Sequence, residues 1–82
     1  MRNETFTVDV EYTDTFAGEA NYCWVKRRAL DLPAGITDRA LARRAKAAMG
    51  LSGARGRSDH SGDQYTFRPY GSCTVLFATT RY

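Results

Sequence analysis

Between Glu4 and Tyr12 polar and apolar residues alternate without a break. Phe6, Val8, Val10 and Tyr12 face one way, and Thr5, Thr7, Asp9 and Glu11 face the other. A period of two built from β-branched and aromatic side chains specifies a strand buried on one face. One buried face requires a second layer to cover it, and a chain of 82 residues has room for a single core. The charged fraction is ordinary and no tract is repetitive or of low complexity. A folded domain spanning residues 1–82 is therefore expected rather than disorder.

The rest of the chain supplies the other elements. Asp14 to Asn21 reads as a loop around Gly18, with Asp14 and Asn21 able to bond to nearby backbone. A second strand follows from about Tyr22 to Leu32, and its alternation is imperfect. Tyr22 and Trp24 share a face with Lys26 and Arg28, while Cys23, Val25 and Ala29 share one with Arg27. Either a bulge near Lys26 shifts the register or the far end leaves the core; the bulge is the expectation, with Tyr22 and Trp24 packed inside.

Pro33-Ala34-Gly35 breaks the strand, and Thr37 offers an N-cap to a helix over Asp38 to Met49 that stops at Gly50. At 100° per residue Leu41, Ala45, Ala48 and Met49 fall on one side of it, Arg39, Arg43 and Lys46 on the opposite side, and Arg44 at the flank. Leu51 to Arg57 suggests a short, irregular edge strand, and Ser58 to Asp63 a polar turn. Gln64 to Arg68 alternates with Tyr65 and Phe67 inward, and Cys73 to Thr79 forms a last strand. The order β-β-α-β-β-β predicts an α+β domain: an antiparallel sheet of four to five strands with one helix packed on one face.

Much chemistry is excluded. One histidine, two cysteines fifty positions apart and no C-x-x-C or H-x-x-x-H spacing provide no metal site, and no cofactor motif is present. Gly50, Gly53 and Gly56 form neither a Walker loop nor a dinucleotide fingerprint; they read as a helix stop and a flexible connection, with anion binding by the arginines between them as the alternative. His60 reads as a solvated turn residue, and no catalytic residue is assigned. No run approaches the roughly 20 apolar residues that cross a bilayer. Met-Arg-Asn-Glu-Thr lacks the apolar core of an export signal, so a cytoplasmic protein with no membrane partner is expected. Cys23 and Cys73 then read as small buried hydrophobes rather than a disulfide, with a side-by-side placement on neighbouring strands left open.

Charge carries more information. The net value is only +3, yet residues 1–22 hold one arginine against five carboxylates and residues 23–57 hold nine cations against two. The cations expected to bind a partner are Lys26, Arg27 and Arg28 at the end of the second strand, Arg39, Arg43 and Lys46 on the helix, and Arg55 and Arg57 beyond it. A one-signed surface of this kind attracts phosphates or an acidic protein face, whereas an ordinary solvated face mixes signs.

Thr13 to Arg28 reads T-D-T-F-A-G-E-A-N-Y-C-W-V-K-R-R. This resembles a group of small proteins of bacteriophages and integrated elements that share T-D-T-x-G-G-E-A-N-Y-x-W-V-[KR]-R. Arg43 to Arg55 (R-R-A-K-A-A-M-G-L-S-G-A-R) and Arg68 to Phe77 (R-P-Y-G-S-C-T-V-L-F) look similar too. Ala17 departs from the pattern, which has glycine there, and suggests a less strained turn. In size and arginine- and alanine-rich makeup the group looks like anti-CRISPR proteins, particularly inhibitors of type I effector complexes. The resemblance implies a phage- or prophage-encoded stoichiometric blocker, not a catalyst, that binds such a complex in the host cell; a monomer and a homodimer are both compatible with the sequence. A nucleic-acid-binding phage accessory protein is the alternative.

Overall fold

The computed structural model describes residues 4–81. Five strands, β1 (Thr5–Phe16), β2 (Glu19–Pro33), β3 (Gly56–Ser61), β4 (Gln64–Pro69) and β5 (Thr74–Thr80), form one antiparallel sheet in the order β2-β1-β5-β4-β3. The helix α1 (Asp38–Ala48) joins β2 to β3 and so carries the chain across one face from one sheet edge to the other. This is the α+β arrangement that the alternation and the helical segment require.

The register decides what lies under the helix. Val8, Val10 and Tyr12 of β1 stand beside Thr80, Ala78 and Leu76 of β5, and Ala78 and Leu76 in turn stand beside Tyr65 and Phe67 of β4. Phe6 and Val8 also face Leu32 and Leu30 of β2. These rows, with Ala45 of α1, make the core. Each fully buried valine, leucine or phenylalanine contributes about 1.5–3 kcal/mol. Ala45 is 1 % exposed, and its small side chain lets the helix lie close against the sheet. Thr37 caps α1 as its spacing predicts: its Oγ1 accepts from the Ala40 N–H at 3.1 Å.

Several expectations need correction. The segment 14–21 is not an open loop. β1 runs on to Phe16 and β2 begins at Glu19, leaving a two-residue turn at Ala17-Gly18 with φ of +54° and +84°. Two positive φ values match the right-handed twist of the flanking strands, the geometry of a tight hairpin. Ala17 is thus the strained member of the turn, not a relief from strain.

The irregularity in β2 is also misplaced by the sequence. Its register with β1 is unbroken from Val25 to Pro33, and the shift falls between Thr13 and Thr15, where Asn21 to Trp24 stand against Asp14 alone. Lys26 and Arg28 therefore pair with Tyr12 and Val10 and stand on the helix side of the sheet. They stay exposed because the two layers differ in length. The 11 residues of α1 span about 16 Å, and the 15 residues of β2 span about 50 Å. The helix covers the Leu30–Leu32 end, and the rest of β2 overhangs.

The third strand comes later than expected, at Gly56–Ser61, so His60 belongs to an edge strand rather than a turn. Edge position explains why five of its six residues are polar: its outer side has no neighbouring strand. Both cysteines are free and exposed, not buried. Cys23 lies on β2 and Cys73 just before β5, with β1 between those strands.

Candidate binding surface

Asp14 builds the part of the surface that the sequence motif marks. Its carboxylate accepts from Asn21 Nδ2 at 2.9 Å and from the Cys23 N–H at 2.8 Å, bracing the surplus residues of β2. Thr13, fully buried, donates from Oγ1 to the Trp24 carbonyl at 2.6 Å. Asn21's hydrogen bond holds the Asp14 carboxyl below the ordinary aspartate range; partial desolvation opposes this, and the Cys23 and Trp24 N–H groups reinforce it. The T-D-T and N-Y-x-W pieces are thus two halves of one clasp. Its product is display: Tyr22, at φ +55°, is 50 % exposed and Trp24 is 42 % exposed. The Trp24 ring leans edge-on against Tyr12, with 5.5 Å between centroids, and Tyr12 is fixed by its hydroxyl donating to Thr74 Oγ1 at 2.9 Å. Neither Tyr22 nor Trp24 is a core residue, contrary to expectation.

The eight expected cations do not share one wall. Arg27 and Arg57 register with Glu11 and Arg68 on the face away from the helix. Arg27 Nε donates to Glu11 Oε2 at 2.7 Å, which neutralises it. Arg55 lies just before β3, where its carbonyl accepts from the Tyr70 N–H at 3.0 Å. Lys26 and Arg28 stand on the helix side, in a row with Trp24 along the overhanging β2. Arg39, Arg43 and Lys46 line a groove between α1 and the β3–β4 hairpin rather than an outward stripe. Lys46 is half-buried, its Nζ 4.7 Å from the centre of the Phe67 ring.

Four strand carboxylates lie on the other face. Asp9, Glu11, Asp31 and Asp59 all register on the face away from the helix. Arg81 there grips Asp9 through two nitrogens, the Nε bond being 3.0 Å, and holds its carboxyl below the ordinary range. Thr7 donates to Asp31 at 2.9 Å. Among the described residues the ion pairs are Arg27–Glu11 and Arg81–Asp9, so Lys26, Arg28, Arg39 and Arg43 carry charge that no carboxylate pairs with. The far face thus mixes signs, these four carboxylates with Arg27, Arg57, Arg68 and Arg81, while the helix side carries Lys26, Arg28, Arg39, Arg43 and Lys46 against Asp14 and Asp38.

No family model, curated protein or solved structure matches this chain.

Potential catalytic partners are kept apart. His60 is on β3 and Cys23 on β2, the two opposite edges of the sheet, and β4 intervenes between β3 and the strand that Cys73 precedes. Among the described residues no three His, Cys, Asp or Glu side chains group as a metal site, and no helix is long and apolar enough to cross a membrane. The sequence reading missed the display of Tyr22 and Trp24, and a signal for it was present. Both share the parity of Lys26 and Arg28, and on that side of β2 only Leu30 and Leu32, beyond the two cations, pack with the core.

Proposed function

We propose that the protein is a stoichiometric binding protein whose helix-side surface docks on a polyanionic partner, and that this partner is a type I CRISPR effector complex, whose access to target DNA or nuclease it blocks. The observation that supports docking is the excess of positive charge on the helix side: Lys26 and Arg28 beside Trp24 on β2 and Arg39 and Arg43 on α1 share that side, while Asp9, Glu11, Asp31 and Asp59 lie on the other. Unpaired cations around exposed aromatic anchors are the composition of a docking surface. The resemblance of Thr13–Arg28, Arg43–Arg55 and Arg68–Phe77 to small phage proteins supplies the choice of partner.

Two measurements test it. Expression in a host whose type I system targets a phage should restore plating of that phage; unchanged plating counts against the inhibitor reading. Affinity capture from the same cells should retain effector subunits after nuclease treatment, and Lys26→Glu with Arg28→Glu should release them. The second reading, direct binding of single-stranded nucleic acid, is favoured by the exposed Tyr22 and Trp24 rings, the latter leaning on Tyr12, the strand partner of Lys26. Bases stack on such rings with little regard to sequence. It requires capture to vanish with nuclease and affinity to fall steeply with salt.

A further inference from the structure

A groove of about 710 Å³ runs between α1 and the β3–β4 hairpin. Its α1 wall carries Arg39, Arg43 and Lys46, and its β3 wall carries Ser58 and His60. Among the described residues the three cations have no ion pair, and the lining includes one carboxylate, Asp38. Lys46 rests on the Phe67 ring, whose quadrupole orients the ammonium without cancelling its charge. Three cations on one wall, fixed by a capped helix, suit a phosphate group.

The opposite wall has a different preference. His60 sits 4.8 Å from the Tyr65 ring at a 42° tilt. Tyr65 is 2 % exposed and its hydroxyl shares a 2.9 Å hydrogen bond with Ser58, so it is a fixed backing for the histidine. His60 itself is exposed and offers its outer face to another ring. A flat aromatic group stacks there at little entropic cost. The groove's volume falls within the range of small-molecule sites.

We propose that this groove binds a mononucleotide, with the phosphate on Arg39, Arg43 and Lys46 and the base against His60. Phosphate alone satisfies one wall and a nucleoside alone the other; a nucleotide satisfies both. Lys26 and Arg28 line no part of the groove, and its occupancy requires no macromolecular partner, so this inference and the docking reading fail separately.

Titration of AMP into the full chain, followed by calorimetry and by the ring resonances of His60 and Tyr65, tests the assignment. One saturable site is expected, with adenosine and inorganic phosphate each at least about tenfold weaker. Arg43→Glu and Lys46→Glu should each weaken AMP by about tenfold or more. His60→Ala should weaken it by about fivefold or more. Arg57→Ser, on the other face, should leave it unchanged. Arg43 is exposed and its substitution spares the core, so its loss of binding is read on a folded protein, checked by its thermal melt. The assignment is overturned if AMP does not saturate by about 10 mM, if phosphate alone binds as well as AMP, or if Arg57→Ser weakens binding as much as Arg43→Glu.

Discussion

Ala17 holds a left-handed conformation, φ +54°, that costs an L-residue about 1–2 kcal/mol. Glycine there removes the strain but returns about 0.5–1 kcal/mol of chain entropy to the unfolded state. Ala17→Gly should therefore stabilise the protein by about 0.5–1 kcal/mol, seen as a rise of about 2–8 °C in the melting temperature by circular dichroism. Asp14 acts at the same scale with a pH signature. Its carboxyl is lowered in the folded state, so its contribution is complete above the ordinary aspartate range and is lost as pH falls through the lowered folded value. Trp24 fluorescence should report an acid transition as the clasp opens, and Asp14→Asn should flatten it. An unaltered acid transition in Asp14→Asn would show that the clasp does not depend on the carboxylate.

Among the elements, β3 and β4 approach closely at Gly56. A Cβ on Gly56 would lie 2.3 Å from the Arg68 carbonyl oxygen and 2.7 Å from Pro69 Cα, both backbone atoms that cannot swing away. Gly56→Ala should cost about 1–3 kcal/mol and expose the β3 amides, from Gly56 to Ser61, to faster hydrogen exchange. Thr37→Ala should cost about 1 kcal/mol through loss of the helix cap, measured by denaturant unfolding. How far such elements could be read in advance follows from what fixes them. β1 and α1 were legible because local pattern and burial agree: Val8 and Val10 alternate with charges, and Thr37 precedes a run of helix formers. β3 was not, because an edge strand made of Arg57, Ser58, Asp59, His60 and Ser61 buries too little to leave a pattern. The clasp was half legible. Asp14 and Asn21 were expected to brace a turn, but bonding between them seven positions apart depends on the register of two strands.

At the scale of the whole molecule, the expected basic surface survives in reduced form. Helical periodicity placed Lys46 opposite the core, yet it rests on Phe67, a residue from another element that no wheel drawing includes. Pairing sends Arg27 and Arg57 to the far face, because alternate residues of a strand must part company. The molecule measures 48 × 23 × 22 Å, and much of that length is the hairpin that α1 does not cover. Lys26→Glu with Arg28→Glu should leave the unfolding free energy within about 0.5 kcal/mol of the parent chain while abolishing capture of the partner; a comparable loss of stability would mean the two cations are structural. The short roof over a long floor thus divides labour along the chain. Exposed side chains on the uncovered span, such as Tyr22, Lys26 and Arg28, can be exchanged one after another without endangering the body that carries them, so that surface is able to change at the speed of single substitutions.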